Sequence, residues 1–125
     1  IKSIMQDNFA VFRDHEPMKQ GLAELEELEQ RLQKAKLHDT SKVFNTTRFE
    51  MLELDNLMAT ALATARCSLR RTESRGAHSR EDYPDRDDKN WLCHTVYFAN
   101  QQYGERPVNM SPKDIEPFPV KEREH

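Results

Sequence analysis

Apolar positions along the chain fall into three stretches with a helical period and one that is aromatic and β-branched. Ile1, Ile4, Met5, Phe9 and Phe12 stand at offsets of 0, 3, 4, 8 and 11, which is one stripe of a helix, and they predict a helix over residues 1–13. Asp14-His15-Glu16-Pro17 then supplies a turn, with a proline suited to a first helical position and acids favoured near a helix N-terminus. A second helix is expected over 17–37, with Leu22, Leu25, Leu28, Leu32 and Ala35 as its buried stripe. Glu24, Glu26, Glu27 and Glu29 precede Arg31, Lys34 and Lys36, the charge order of a solvated face.

His38-Asp39-Thr40-Ser41 interrupts the period, and Asn45-Thr46-Thr47 restarts it with a capping box offered by Thr47 and Glu50. The third helix is expected to run to Arg71, with Leu54, Met58, Ala61, Ala65 and Leu69 on one side. Ala59, Ala61, Ala63 and Ala65 thin its middle. Small residues let a neighbouring helix come close, so this helix is read as the central one of an antiparallel three-helix bundle. Met51 and Met58 are read as core filling.

After Arg71 the period ends. Residues 70–90 carry six bases and six acids with no net charge. That balance predicts an ordered loop whose guanidinium groups bind carboxylates and carbonyls. Trp91 to Phe98 reads as a strand, Asn100 to Gly104 as a turn and Arg106 to Met110 as the partner strand. Pro112, Pro117 and Pro119 keep the remainder extended. The expected fold is mainly α: a three-helix bundle over 1–71, then over 72–125 a charged loop, a short β-hairpin and an extended C-terminal tail, one domain in total.

Composition sharpens this division. Only 36% of the 125 residues are hydrophobic, 33% are charged and the mean hydropathy is −0.94, below the apolar share usual for globular domains. Residues 1–69 hold enough apolar side chains for a core, so the deficit lies in the charged loop and the tail. Such a surface faces water or was made for a partner.

Several functions are excluded. No run of 18 apolar residues and no secretory leader is present, so the chain is expected neither to span a membrane nor to be exported. It starts at Ile1 already in a helical pattern, which reads as part of a longer protein. Gly21, Gly76 and Gly104 lie 55 and 28 residues apart, a spacing that fits neither a dinucleotide fingerprint nor a phosphate-binding loop. The net charge of −3 provides no basic field for nucleic acid. Two cysteines without a leader are expected to be thiols in a reducing compartment.

The residue types that could carry chemistry are weak as constellations. His78, Asp85, Cys93 and His94 lack a usual zinc spacing, and adjacent Cys93 and His94 point to opposite faces of a strand. A cysteine nucleophile with His78 or His94 as base lacks a recognisable oxyanion hole. The carboxylates of Asp85-Arg86-Asp87-Asp88 stand beside bases, which lowers carboxylate pKa values and favours structure over general-acid work.

The string RTESRGAHSREDYPDRDDKNWLCHT over residues 71–95 resembles the signature of the C-terminal helical domain of succinate dehydrogenase and fumarate reductase flavoprotein subunits. MQDNFAVFR (5–13), FNTTRFEMLELDNLMATALATA (44–65) and VNMSPK (108–113) fit the same domain, nearest to the bacterial succinate dehydrogenase type. The fragment ESRG also occurs in L-aspartate oxidase, and the same domain of fumarate reductase or of L-aspartate oxidase is the alternative within the enzyme class. Outside it, the alternative is a free-standing helical interaction module.

The resemblance implies an intact subunit that oxidises succinate to fumarate on covalently held FAD and passes electrons through an iron–sulfur subunit to quinone. The flavin-holding and substrate-gripping residues of that family lie upstream, so no catalytic residue, cofactor or metal is expected in this chain alone. Its implied partners are the FAD-binding domain of the same chain, the iron–sulfur subunit and, indirectly, two membrane anchor subunits. Its implied place is peripheral, on the cytoplasmic side of a bacterial inner membrane, and the isolated chain is expected to be a soluble monomer. Arg75, Gly76, His78, Arg80 and Asp82 match the family motif and are implied to face the FAD domain. Arg75 either stabilises negative charge near the flavin or braces the loop. Arg123 is a further interface candidate, although the ending Arg123-Glu124-His125 departs from the family's terminal aromatic.

Overall fold

The computed structural model describes residues 1–35, 41, 43, 45–111, 113–116 and 119, which form parts of two compact units, Ile1–Asp87 and Asp88–His125. The first unit contains helices α1 (Lys2–Asn8), α2 (His15–Lys34) and α3 (Thr46–Arg70), with two short strands, β1 (Phe12–Arg13) and β2 (Ser79–Arg80). The second contains a single helical turn, α4 (Asp88–Trp91), and the strands β3 (Cys93–Tyr97) and β4 (Tyr103–Pro107). The expected mainly α character is present.

One apolar cluster holds the three helices together: Phe9 from the end of α1, Met18 and Leu25 from α2, and Met58, Ala61, Leu62 and Ala65 from α3. Leu22, Leu28 and Leu32 flank it as the α2 period requires, whereas Ala35 is the exposed C-cap. Burying such side chains supplies the main drive for folding, roughly 1.5–3 kcal/mol for each large one. The central helix is α2 rather than α3, because α2 packs on both of the others. Gly21 allows this: a Cβ there would lie 2.6 Å from the Asn8 Cβ and 2.8 Å from the Phe9 ring. The alanines of α3 serve its contact with α2 through Ala61 and Ala65, while Ala59 is exposed. An ion pair from Arg66 to Glu26 at 2.8 Å joins the same two helices.

The first helix ends five residues earlier than its period predicts. Arg13 folds back so that its Nε donates to the carbonyls of Phe9 (3.2 Å) and Ala10 (3.0 Å), meeting acceptors left open where the helix ends. The chain turns there, Phe12 leaves the stripe and is 72% exposed, and residues 12–13 pair in parallel with 79–80. Asp14 caps α2, with Pro17 in the first turn rather than at its first position. At the start of α3 the cap is Asn45, not Thr47. Its Oδ1 accepts from the Arg48 N–H at 2.9 Å and its amide donates to the Ser41 carbonyl at 2.9 Å, an arrangement as favourable for Asn as for Ser or Asp. The predicted end of the second helix at residue 37 lies outside the described residues.

In the second unit, β3 and β4 are antiparallel with Tyr97 opposite Tyr103 and Cys93 opposite Pro107. The pairing begins three residues earlier on β4 than expected, and Trp91 belongs to α4 instead of the strand. The register follows from the turn. Gln101 adopts a φ of 64°, its N–H donates to the Phe98 carbonyl at 2.9 Å, and Phe98 N–H donates to the Gln102 carbonyl at 3.0 Å. A residue in that left-handed conformation closes the hairpin tightly enough to set Tyr103, not Arg106, as the first pair. The two tyrosine rings then meet with centroids 5.4 Å apart.

Candidate functional site

The charged segment after α3 belongs to the first unit and is built around two buried ionised side chains, Glu73 and Arg80, which are 0% and 1% exposed. Burying a charge is costly unless partners and hydrogen bonds surround it. Both residues meet that condition. Arg71 Nη1 and Arg75 Nε donate to Glu73 Oε1, the latter at 2.8 Å, while Arg75 Nη2 and the Asp87 N–H each donate to Oε2 at 2.9 Å. Burial alone would push the Glu73 carboxyl up. The hydrogen bonds from Arg75, the Asp87 backbone and Arg71 outweigh it and hold the group below its usual range, so it stays ionised.

Arg80 closes the end of α3. Its Nη1 donates to the carbonyls of Ser68, Leu69 and Arg71, each at 3.2 Å. These lie in the last turn of α3 and at its cap, where carbonyls lack intrahelical donors and a cation is favoured by the helix dipole. The other edge of the guanidinium grips Asp82 through Nε to Oδ1 (2.6 Å) and Nη2 to Oδ2 (2.5 Å). That two-point grip holds the Asp82 carboxyl below its usual range, and the Tyr83 ring lies 5.1 Å from the guanidinium carbon.

Ser74 ties the segment's backbone. Its Oγ accepts from the Arg80 N–H at 2.8 Å and bonds the Tyr83 carbonyl at 2.8 Å, and its own N–H donates to the Asp85 carbonyl at 3.0 Å. Arg75 and His78 exchange backbone hydrogen bonds of 2.8 and 3.0 Å across a two-residue turn. Gly76 occupies that turn with a φ of +59°, which an L side chain adopts only with strain. The loop tip is therefore Gly76-Ala77, both exposed, with Arg75 part-buried beside it.

His78 sits behind the tip. Its Nδ1 lies 2.7 Å from Arg13 Nη1 and its Nε2 lies 3.2 Å from the Arg71 carbonyl. A guanidinium only donates and a carbonyl only accepts, so the ring is neutral with its proton on Nε2. Burial is the largest influence and pushes its pKa down; the hydrogen bond to the Arg71 carbonyl pulls the other way, and the positive charges of Arg13, Arg80 and Arg71 add to the lowering.

Five sequence-selected residues thus converge: Arg75, Gly76, His78, Arg80 and Asp82 occupy one folded loop, and Arg123 lies outside the described residues. Glu73, Ser74 and Arg13 complete it, and sequence reasoning missed all three. Glu73 carried a faint signal, a lone acid between Arg71 and Arg75. Arg13 carried none, being 65 residues from the histidine it contacts.

What the segment offers chemically is a set of fixed charges around a buried carboxylate and a buried guanidinium. Its carboxylates Glu73 and Asp82 are held ionised, and burial raises the Cys67 thiol, which keeps it protonated. Among the described residues, no three His, Cys, Asp or Glu side chains are placed to share a metal ion. The glycines do not fit a dinucleotide cradle either. Gly21 packs two helices together, Gly76 turns the loop and Gly104 lies within β4 against the Phe98 ring.

Residues 1–125 match the family model described as fumarate reductase flavoprotein C-term. The succinate dehydrogenase flavoprotein subunit of Coxiella burnetii is 56% identical over 124 residues, which are 99% of this chain and 21% of that protein. Among solved structures, a FrdA mutant of the E. coli quinol fumarate reductase aligns with a TM-score of 0.79 at 31% identity, covering 94% of this chain and 21% of that one. Mycobacterium smegmatis Sdh1 in complex with UQ1 aligns with a TM-score of 0.66 at 28% identity, covering 89% and 20%. The chain spans about a fifth of the length of these relatives. It belongs to the family of succinate dehydrogenase and fumarate reductase flavoprotein subunits, of which it is the C-terminal helical part.

Proposed function

We propose that this domain serves the flavoprotein subunit of a bacterial succinate dehydrogenase, which oxidises succinate to fumarate with FAD and passes electrons through an iron–sulfur subunit to quinone. The observation that carries the reading is the 56% identity to the Coxiella burnetii subunit over 99% of the chain. The domain itself is structural. Its charged loop docks on the FAD-binding part of the subunit, and the assembly sits peripherally on the cytoplasmic face of the inner membrane beside its anchor subunits. Among the described residues no helix is long and apolar enough to cross a membrane.

Within the loop, Gly76 at the tip and Arg75 beside it make the contact, and His78, Arg80 and Asp82 are positioning residues that hold the tip in shape. Arg123 contributes from the tail. Arg75 lends positive charge to the N1/C2 carbonyl edge of the flavin, while its Nε and Nη2 remain on Glu73.

A second reading, fumarate reduction as the working direction, is favoured by the higher structural similarity to the E. coli fumarate reductase, a TM-score of 0.79 against 0.66 for Sdh1. Assay of the intact complex in both directions separates the two. Succinate oxidation with quinone at a rate well above fumarate reduction is expected, and the reverse ratio replaces the first reading with the second. For Arg75, the variant Arg75→Lys in the intact subunit is expected to retain its thermal stability and lose covalent flavin. Normal flavin content removes the flavin role, and equal loss of flavin and stability leaves the residue a brace.

A further inference from the structure

The loop is fastened to the far end of α1 by a short strand pairing and by one histidine. Strand β1 lies parallel to β2 with Phe12 opposite Ser79 and Arg13 opposite Arg80, and the Glu81 N–H donates to the Arg13 carbonyl at 2.8 Å. Two residues of pairing are little by themselves. The side-chain link is Arg13 Nη1 on His78 Nδ1 at 2.7 Å, with the opposite ring nitrogen on the Arg71 carbonyl at the end of α3. One ring therefore joins the α1–α2 junction, the end of α3 and the loop.

That link exists only while Nδ1 keeps its lone pair. A proton taken from solvent at Nδ1 turns the acceptor into a donor facing a guanidinium donor, and it adds a positive charge next to three others. The charged groups that act on the ring are Arg13 from β1, Arg80 from β2 and Arg71 from the end of α3, and the loop's two fixed carboxylates are Glu73 and Asp82. His15 at the start of α2 acts on Asp82. Both carboxylates are already committed, Glu73 to Arg71 and Arg75 and Asp82 to Arg80, so neither is placed to neutralise a new imidazolium.

We propose that His78 is the pin of an acid-sensitive latch: the neutral ring holds β1 against β2, and its protonation releases the loop from the α1–α2 junction while the helical core stays folded. The downward push on the ring's pKa by burial and neighbouring cations agrees with this. The latch does not depend on what the loop docks against.

Isotope-labelled chain tests it by NMR. At about pH 7.5 the His78 ring is expected to carry its proton on Nε2. Between about pH 7.5 and pH 5, the exchange protection of the Glu81 amide, corrected for intrinsic rate, is expected to fall about 10- to 30-fold along with the His78 titration. The upper figure follows from a freed ring titrating near 6.5, about one decade per pH unit below it. Amides of α3 between Met58 and Ala65 keep their protection. In His78→Gln, a neutral amide that can still donate toward the Arg71 carbonyl, Glu81 protection is expected to be independent of pH over the same range. A proton on Nδ1 at about pH 7.5, constant Glu81 protection in the native chain, or the same fall in the variant overturns the latch. Should the variant not fold, the native ring's tautomer and the Glu81 titration decide alone.

Discussion

Two parts of the first unit bury side chains completely, and they do it by opposite means. Between α2 and α3, Met18, Leu25 and Ala65 are each 0% exposed and need only shape. In the loop, Glu73 and Arg80 are buried to nearly the same degree and are held by at least four and five side-chain hydrogen bonds respectively. Apolar packing is non-directional and tolerates exchange of one hydrocarbon for another of similar size. A buried carboxylate has no such tolerance, because its partners are left with uncompensated charge when it goes. A chain poor in apolar residues thus extends its interior with ionic contacts that cap a helix as well as fill space.

The largest expected effect comes from near-isosteric changes in the two parts. Leu25→Met conserves volume and is expected to cost under ~1.5 kcal/mol of unfolding free energy. Glu73→Gln conserves shape equally well but removes the charge opposite Arg71 and Arg75, and is expected to cost about 3 kcal/mol. This is the lower end of the range for a broken buried pair, since those arginine side chains keep 14% and 28% of their exposure. Urea unfolding of the 125-residue chain measures both. Equal costs would mean that the loop is held by packing, like the helices, and would break the contrast.

This contrast also explains what could be read in one dimension. The dry faces of α2 and α3 are written at helical spacing in Leu22, Leu25, Met58, Ala61 and Ala65, because burial on a helix repeats along the chain. The end of α1 is not written there. Phe12 fits the stripe, and only Arg13, folding back on Phe9 and Ala10 and reaching His78, pulls it away. Likewise the hairpin register depends on Gln101 accepting a left-handed conformation, which its residue type does not advertise. In the loop, charge balance pointed to internal pairing and the motif selected Arg75, His78, Arg80 and Asp82. Which acid becomes the buried one was hidden, since Glu73 is one of six acids in the segment and its status arises from the return of Asp87 to its side.

Acid should act on the two parts unequally. Glu73 and Asp82 have pKa values lowered in the folded chain, from 4.5 and 3.8 respectively. The unfolded chain therefore binds more protons than the folded one between the two sets of values. Their contribution is complete above about pH 5 and is lost as pH falls through the folded values. His78, also lowered from 6.5, adds a loss that begins at higher pH, as the unfolded ring protonates first. Stability measured from pH 7 down to pH 3 should decline in both stages. Leu25→Met should follow the native curve with a constant offset, whereas Glu73→Gln should flatten its lower stage. An unchanged lower stage in Glu73→Gln would remove that carboxylate as the source of the acid sensitivity.

The smallest effect is expected at the loop tip, where neither kind of interior is involved. A Cβ at Gly76 meets nothing within 4 Å, so Gly76→Ala costs only the strain of a φ near +59° on a residue with a side chain, about 1 kcal/mol. The helical core and the Glu73 contacts should be untouched, and the unfolding midpoint should shift by a small amount that is the same at pH 7 and pH 5. Because Arg75 and His78 close the turn through their own backbone bonds, the alternative is that the turn reopens to relieve the strain. In that case the His78 ring would lose its place between Arg13 and Arg71 and its titration would move up toward the ordinary range. A histidine titration unmoved by Gly76→Ala would show that the ring is held by its partners behind the tip and that the tip is free to change without loosening the loop.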